Sequence, residues 1–524
     1  MTPTRGSSWR ELCAIAAATF AWLAATAWAR PLTLPDEGRY VGVAWEMLRS
    51  GDWLTPTLNG LPYFHKPPLF YWITAAAMSV FGAHQEAARA ASLVGAWLGA
   101  CALYLFVRRW AGPRTARLTL MALLVQPLFY IGGQFANLDM LVAGCITATV
   151  LLLAHAALCL EGGLPHRQTL AWAYAAAALG MLAKGLIGVV LPALVIAIWL
   201  LARRRGRVLV ALLWWPGALV FAAVASPWLL AMQWRFGGFA DYFFLEQQFR
   251  RFATSGFNNA EPFWFYPAVL ALFSLPWLPW LRALATRGYL ADPGRGPLRL
   301  LMLLWVGVVV GFFSLPQSKL IGYVLPAIAP LAFLMADGYQ RLTQPSPRAT
   351  RLWWASMCLA AVPSVGAVAA LAVHPLPSSR ELAAALTQQR QPDEPVFMLN
   401  HYAFDLPFYA RLLQPVVVVD DWTSDDVGRH DNWRKELADA GRFAPLQASR
   451  TLIEPTSLRA AACHSPVSWW LGPSASNPRY PWLDQARSVV TQHGTTLWRV
   501  DTGQAKVFNA LRCAETPSGG SANK

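Results

Sequence analysis

The sequence predicts a polytopic all-α membrane domain followed by a small α/β domain. Of its 524 residues, 56% are hydrophobic and only 14% are charged, which is more apolar than a soluble protein of this length. About eleven segments are long and apolar enough to cross a bilayer, and one or two interfacial runs raise the predicted number of helices to 11–13. These segments run roughly over residues 12–29, 86–107, 115–132, 139–160, 169–183, 185–202, 208–231, 264–281, 298–315, 321–339 and 352–373.

The chain changes character after residue 373. Strand-like runs occur at 395–399, 415–419, 467–471 and 496–500, and helix-like stretches lie near 402–412 and 431–440. Such alternation is typical of a small α/β domain. We therefore predict a membrane domain over 1–373, with its first outer loop at 30–85, and a second domain over 374–524. The composition of the last ten residues predicts disorder.

The net charge of +15 belongs to the membrane part, because residues 374–524 contain 15 basic and 15 acidic side chains. In a polytopic protein a basic excess indicates cytoplasmic loops, not nucleic-acid binding. Arginine-rich loops alternate with arginine-poor ones through every predicted span. This predicts a polytopic membrane protein with its N-terminus on the inner, cytoplasmic side and the 374–524 domain on the outer side. The arginine-rich loops are 108–117, 203–207, 282–299 and 341–351.

The first apolar segment has a second interpretation as a signal peptide, because Ala27-Trp28-Ala29 resembles a cleavage site. Its apolar core is long for a signal peptide, so we favour an uncleaved anchor. All three lysines of the membrane part, Lys66, Lys184 and Lys319, fall on the predicted outer side. This bias indicates an anionic ligand on that side of the membrane.

The first outer loop carries the main candidate site. A short helix is predicted to begin at Asp36, with an apolar face that includes Tyr40 and Val41, and the apolar run ending at Phe81 suits an interfacial helix. Asp36-Glu37 supports two interpretations equally: helix capping, or a general base that accepts a hydroxyl proton.

Other charged residues also have two interpretations each. Lys66 is either a snorkelling lysine or a phosphate ligand, and Asp139 is either a helix cap or a functional acid at membrane depth. Loop 232–263, with Arg250 and Arg251, is either an aromatic belt or an anion pocket. The GxxxxGK[ST] and GxGxxG motifs of nucleotide-binding proteins are absent from the sequence.

Two cysteines, Cys463 and Cys513, lie in the 374–524 region. Because this region is predicted to lie on the outer, oxidising side and holds no competing cysteine, we predict a disulfide between them. The other five cysteines lie in or beside apolar segments, and their spacing does not predict a zinc site.

Several motifs occur in a recognisable order. They are PDEGRYVGVAWEML at 35–48, GDWLTPTLNGLPYFHKPPLFYW at 51–72, NLDM at 137–140, LAKG at 182–185, RRF at 250–252, EPFWFY at 261–266, SLPW at 274–277 and SKLIGYVLP at 318–326. This series, spanning about residues 30–340, resembles the bacterial aminoarabinose transferases of lipid A, which are related to the protein O-mannosyltransferases. Beyond residue 340 no motif matches, and the similarity is only that the family also ends in an outer soluble domain.

The resemblance implies a C-type glycosyltransferase fold and a sugar donor built on polyprenyl (undecaprenyl) phosphate. It also implies a location in the bacterial inner membrane, with the 374–524 domain in the periplasm. The implied acceptor is a lipid such as lipid A, a glycan or a protein on the periplasmic side. By motif, Asp36 would be the catalytic carboxylate, supported by Glu37 and Arg39. Residues implied to surround the donor phosphate are Arg39, Lys66, Arg251, Lys319 and Tyr323, and those implied to line the cavity are Asp139, Tyr63 and His65.

The sequence departs from the family at its metal-ligand positions. His65 stands where the family usually has Glu, Gln247-Gln248 replaces Glu-His, and Asn259 replaces a His. No metal site is therefore assigned, and the cofactor is left unknown with a divalent cation neither required nor excluded. The alternative function is a transporter or flippase of lipid-linked sugars, which would use the same outer cations but no adjacent base.

Overall fold

The computed structural model describes residues 9–250, 260–343, 347–429, 431–476 and 478–513. The chain forms two compact units. The membrane unit comprises Met1–Arg30 and Lys66–His374, and the tail unit comprises Pro31–His65 and Pro375–Lys524. The sequence assigned 31–65 to the membrane domain, whereas the structure groups it with the tail. The predicted disordered last ten residues lie outside the described part of the chain.

The membrane unit is helical, and a helix occupies each of the eleven predicted apolar segments. Its α-helices are Trp9–Ala24, Leu69–Phe81, Gln85–Ala88, Ala90–Ala111, Pro113–Val125, Pro127–Gly133, Leu138–Glu161, Arg167–Lys184, Ile187–Ala202, Gly206–Leu212, Trp215–Arg235, Phe265–Phe273, Leu278–Leu281, Gly296–Ser314, Ile328–Leu342 and Pro347–Val373. A π-helix spans Asp241–Arg250, and 3-10 turns span Leu275–Trp277, Arg282–Ala285 and Ile321–Ala327.

Six helices in the described residues are long and apolar enough to cross a membrane, and the number rises to eight if each of two bent pairs is one span. The pairs bend by 66° after Val125 and by 71° after Phe273. Pro127 and Pro276 lie in the first turn after these bends, where a missing N–H leaves no helix bond unmade. Leu69–Phe81, predicted to be interfacial, is a shorter apolar helix of 13 residues.

Small residues let the central helices of the membrane unit approach closely. A side-chain carbon on Gly144 would lie 2.1 Å from the carbonyl oxygen of Gly95, and one on Gly95 would lie 2.6 Å from that of Met140. Helices Ala90–Ala111 and Leu138–Glu161 therefore touch backbone to backbone, a contact that small residues permit in membrane proteins. This packing fixes the start of the second helix, where Asp139 lies.

The tail unit is built on a six-stranded mixed sheet, and the four strands predicted for this region are all present. The strand order is β5-β4-β3-β6-β8-β7; β5, β4, β3 and β6 are parallel, and the β6–β8 and β8–β7 pairings are antiparallel. A separate hairpin, β1-β2, lies in the 31–65 segment. The strands are β1 Thr57–Leu58, β2 Leu61–Pro62, β3 Val396–Leu399, β4 Val417–Val419, β5 Leu452–Ile453, β6 Val467–Pro473, β7 Arg487–Gln492 and β8 Thr495–Asp501.

Helices cover this sheet and connect its strands. They are Arg380–Gln389, Leu406–Tyr409, Trp433–Gly441, Pro445–Thr451, Leu458–Cys463 and Ala505–Leu511, with 3-10 turns at Asp425–Gly428, Pro455–Ser457, Ser474–Ser476 and Pro481–Gln485. The core on one side stacks Phe397 on Trp470, with ring centroids 4.1 Å apart. The helix Trp433–Gly441, hereafter the carboxylate helix, is anchored separately by its buried residues Leu437 and Ala440.

The 31–65 segment is an integral part of the tail unit. Its helix Asp36–Ser50, hereafter the loop helix, is buried on more than the predicted apolar face, since Val43, Trp45 and Glu46 are buried as well. The Trp45 indole N–H donates to the carbonyl of Leu412 at 3.3 Å. Between residues 37 and 47 the helix therefore has no fully exposed polar side. Here residues from 380 onward cover it.

A disulfide joins Cys463 to Cys513, with Cα atoms 5.5 Å apart, and confirms the predicted pairing. It links the helix Leu458–Cys463 to the residues after the helix Ala505–Leu511. Both cysteines pack against the core formed around Trp470.

We expect Cys513→Ala to lower the free energy of unfolding of the tail unit. The bond closes a loop with a sequence separation of 50, for which the chain-entropy estimate is about 4 kcal/mol. Thermal melts of the full chain with and without reductant would measure the effect. Cys358→Ala, at an exposed free cysteine, is the control and should melt like wild type. Equal melting of all three proteins would contradict the prediction.

Candidate active site

The first turn of the loop helix separates the roles of its two acids. Pro35 occupies the N-cap position, and Asp36 is the first helical residue, with no side-chain capping bond. The carboxylate of Glu37 is buried and accepts a hydrogen bond from the backbone N–H of Thr33 at 2.9 Å. Glu37 therefore ties down the chain that enters the helix. Asp36 is relieved of that structural task, and its side chain is 37% exposed.

Arg39 holds the Asp36 carboxylate from one turn further along the helix. Its guanidinium donates to Asp36 Oδ1 and to Glu436 Oε1, and it lies over the ring of Tyr40 at 4.8 Å. Burial opposes the charge of this guanidinium, but the attraction of Glu436, with smaller contributions from Tyr40, Tyr63 and Asp36, raises the pKa of Arg39 well above its ordinary value. The Arg39 guanidinium is thus engaged by two carboxylates, and its role in phosphate binding stays a prediction.

Tyr63 and His65 form the second half of this group. The Tyr63 hydroxyl donates to Glu436 Oε2 at 3.1 Å, and its ring stacks on the His65 imidazole with centroids 4.6 Å apart. His65 Nε2 lies 3.9 Å from Asp439 Oδ2. Asp439 also accepts from Lys435 at 2.7 Å and pairs with Arg442 at 3.0 Å.

Sequence reasoning missed Glu436 and Asp439, which both come from the carboxylate helix. They are three residues apart and share one face of that helix, and both are almost fully buried. Acids at this spacing in an amphipathic helix were the available signal, because buried carboxylates are rare unless they are paired. Their partners could not be found in the sequence, since Arg39 lies 397 residues from Glu436.

A separate group lies in the membrane unit around Asp139. The side chain of Asn137, not that of Asp139, caps the helix Leu138–Glu161, accepting from the Asp139 N–H at 2.9 Å. The Asp139 carboxylate forms an ion pair with Lys184, whose ammonium lies 4.4 Å from the ring centre of Tyr323. The structure thus brings together two predicted residues, Asp139 and Tyr323, and adds Lys184.

Gly322 leaves space for this ion pair. A side-chain carbon at position 322 would lie 2.5 Å from Asp139 Oδ2 and 3.1 Å from its Cγ. Glycine is therefore required for the 3-10 turn Ile321–Ala327 to approach the carboxylate this closely. The same turn carries Tyr323, so the approach that needs Gly322 also sets the ring beside Lys184.

The three remaining cations that were predicted to bind the donor phosphate differ in their surroundings. The Lys319 ammonium is buried and donates to the backbone carbonyls of Glu261 and Pro316, both at 2.7 Å, and of Gln317 at 3.4 Å. Those bonds join two segments of the membrane unit, which favours a structural role. Lys66 is half-buried and precedes the helix Leu69–Phe81. Arg251 lies outside the described residues. Phosphate binding by all three stays a prediction.

A metal centre is not evident in the described residues, where no three His, Cys, Asp or Glu side chains are arranged to hold an ion. His65, at the position where the family resemblance implied a Glu, faces Asp439 and stacks on Tyr63. Its surroundings are those of a residue that orders the loop. We therefore assign no metal ion to these residues.

Comparisons with known proteins agree with one another on class. Residues 65–230 match the family model for dolichyl-phosphate-mannose-protein mannosyltransferase. An undecaprenyl phosphate-alpha-4-amino-4-deoxy-L-arabinose arabinosyl transferase of Pseudomonas aeruginosa is 36% identical over 319 residues, covering 59% of this chain and 56% of that protein. A relative of the same name from Sodalis glossinidius is 37% identical over 314 residues, covering 59% and 55%. The chain thus spans a little over half the length of these relatives.

The fold is shared over a longer stretch. The structure of ArnT from Cupriavidus metallidurans bound to undecaprenyl phosphate has a TM-score of 0.77 at 22% identity, covering 95% of this chain and 98% of that one. The archaeal oligosaccharyltransferase AglB from Archaeoglobus fulgidus has a TM-score of 0.51 at 13% identity, covering 91% and 71%.

The helical membrane unit and the tail unit have the architecture of the C-type membrane glycosyltransferases. In sequence the chain is similar to the bacterial aminoarabinose transferases, and residues 65–230 are similar to the protein mannosyltransferases. The predicted fold class is thereby confirmed, as is the multi-pass membrane character.

Proposed function

We propose that this protein transfers a sugar from a polyprenyl phosphate to an acceptor at the outer face of the inner membrane. The bond between the anomeric carbon and the phosphate oxygen breaks, and a bond from that carbon to an acceptor oxygen forms. A single displacement of this kind inverts the anomeric centre. The acceptor proton passes to Asp36, and the polyprenyl phosphate leaves. Undecaprenyl phosphate carrying 4-amino-4-deoxy-L-arabinose is the first donor to test, because the relatives are named for it.

The observation that carries the proposal is the setting of Asp36. Its carboxylate is partly exposed, is not used as a helix cap, and is oriented by Arg39 on a helix that is mostly buried. A general base needs this combination of access to the substrate and a fixed orientation. Where the acceptor is a phosphate instead of a hydroxyl, the same carboxylate orients it or accepts its acidic proton.

Membrane orientation is part of the proposal. The cytoplasmic N-terminus and periplasmic 374–524 domain follow from the arginine-rich loops, and the Cys463–Cys513 disulfide supports an oxidising compartment for the tail. The acceptor is lipid A or another envelope glycan or protein, and the surrounding partners are membrane lipids. Cysteine-accessibility labelling in intact cells at single introduced sites would test this orientation.

The function is tested with the full chain in lipid nanodiscs, supplied with radiolabelled undecaprenyl phosphate–linked aminoarabinose and lipid A. We expect label to appear in lipid A. Movement of labelled donor across vesicles without any new glycosidic bond would support a flippase instead, and would overturn the proposal. Mass spectrometry of envelope glycans from a deletion strain would then identify other acceptors.

Lys66→Ala is expected to weaken donor binding about tenfold or more. A charge-assisted contact from an ammonium to phosphate contributes about 1.5–3 kcal/mol, and Lys66 is partly accessible and stands at a family motif position. Binding of fluorescent undecaprenyl phosphate would measure it. Lys506→Ala, at an exposed tail lysine, is the matched control. Equal donor affinity in both variants would remove Lys66 from the phosphate site.

A further inference from the structure

We propose that Glu436 of the carboxylate helix is a positioning residue for Asp36 and acts on it through Arg39. This role rests on the proposed function, in which Asp36 accepts the acceptor's proton. It gives the tail unit a part in catalysis. The tail residue would set both the orientation and the basicity of a carboxylate about 400 residues earlier in the chain.

Both oxygens of Glu436 are engaged by the 31–65 segment. Oε1 accepts from the Arg39 guanidinium, and Oε2 accepts from the Tyr63 hydroxyl at 3.1 Å. The Glu436 side chain is only 4% exposed, whereas Asp36, at the other end of the same guanidinium, is 37% exposed. Arg39 thus joins one enclosed carboxylate to one accessible carboxylate. Because packing holds the Glu436 carboxylate in place, Glu436 holds the Arg39 guanidinium in place. Arg39 in turn orients the Asp36 carboxylate.

The carboxylate helix contacts the segment at a second position. One turn after Glu436, Asp439 faces His65 at 3.9 Å while Lys435 and Arg442 pair with it. The helix therefore grips residues from both ends of the segment: Arg39 near the start, and Tyr63 and His65 near its end. These contacts hold the loop helix and the β1-β2 hairpin in one arrangement, with Asp36 at its edge.

Electrostatics give this contact a consequence beyond packing. Burial raises the pKa of Glu436, an effect that Arg39 opposes. While Glu436 is ionised, it shares the positive charge of Arg39 with Asp36 and also repels the Asp36 carboxylate. Removing that charge leaves Arg39 to attract Asp36 more strongly. A carboxylate held more tightly by Arg39 is a poorer acceptor for the substrate's proton.

The experiment compares pH–rate profiles of transfer from undecaprenyl phosphate–linked aminoarabinose to lipid A by full-length protein in nanodiscs. The variants are Glu436→Gln, Glu436→Asp, Arg39→Gln and the double Arg39→Gln/Glu436→Gln. Glu381→Gln, which changes an exposed acid of the tail, is the matched control. Thermal melts of every variant accompany the rates, so that loss of fold is seen separately from loss of rate.

In Glu436→Gln we expect turnover to fall about tenfold or more and the acidic limb of the profile to move to lower pH. Glu436→Asp keeps the charge and should keep the limb of wild type. The double variant should be no slower than Arg39→Gln alone, because residues that act as one unit are not additive. If Glu436→Gln does not fold, the Glu436→Asp variant still tests the role. A shift of the acidic limb of its pH–rate profile would contradict the role.

Two other results would overturn the role. One is an unchanged profile in Glu436→Gln, which would leave Glu436 a structural residue only; losses that multiply in the double variant would point the same way. The other is wild-type protein that transfers no sugar, which would refute the proposed function and this role with it. Active wild type with an unshifted Glu436→Gln profile refutes the role alone, so the two failures are distinguishable.

Discussion

Asp36→Asn should fold normally, bind the lipid-linked donor and transfer sugar about 10²- to 10⁴-fold more slowly than wild type, which is the range for loss of a general base. An amide at this position still accepts a hydrogen bond from Arg39, but it cannot accept the acceptor's proton. Because the helix start is tied by Glu37 and not by Asp36, the change removes no cap. Turnover of purified protein beside a thermal melt is the measurement.

A matched control for this variant is present in the same unit. Asp426 and Arg429 form an i, i+3 ion pair at 3.0 Å, like Asp36 and Arg39, but both side chains are more than half exposed. Asp426→Asn should leave transfer unchanged. Glu37→Gln should be milder than Asp36→Asn, since an amide oxygen can still accept from the Thr33 N–H. Near-normal turnover in Asp36→Asn would remove the residue on which the proposed chemistry depends.

Asp139→Ala should destabilise the membrane unit by about 3–5 kcal/mol, the cost of removing one partner from a buried ion pair. The Asp139 and Lys184 side chains are 9% and 16% exposed, so the lysine left behind has poor access to water. Its ammonium would keep only the weak attraction of the Tyr323 ring. Melting of the detergent-solubilised protein would report the loss.

A second substitution separates lost charge balance from lost packing. Lys184→Met in the Asp139→Ala background removes the uncompensated charge, so the double variant should melt above the single one. Glu86→Ala, at an exposed acid of the same unit, is the control and should melt like wild type. If the double variant is less stable than Asp139→Ala, the pair does not behave as a buried ion pair.

Several features of this protein follow from local sequence, because their physical cause lies within a few residues. Apolar segments of span length become helices, since a backbone in lipid must bond to itself. The four predicted strands of the tail unit are short apolar runs, and the disulfide joins the only two cysteines of that region. The start of the loop helix at Asp36 follows from the proline before it and the apolar spacing after it.

The candidate site depended on contacts that local sequence does not contain. The sequence left Asp36 between capping and catalysis, and the Glu37–Thr33 bond decided which acid ties the helix start. The family motif assigned Arg39 to the donor phosphate, and only the fold shows that the Glu436 carboxylate contacts its guanidinium. Lys319 was likewise assigned to phosphate, whereas three backbone carbonyls meet its ammonium.

By itself, then, the sequence determined the helical membrane part, the α/β tail and the positions of the charged residues. Only the tertiary structure decided which charges are paired and which stay accessible. The physical reason is that pairing depends on burial and on distances of a few ångströms between side chains far apart in the chain, such as Arg39 and Glu436. Helix formation in an apolar segment needs no such partner.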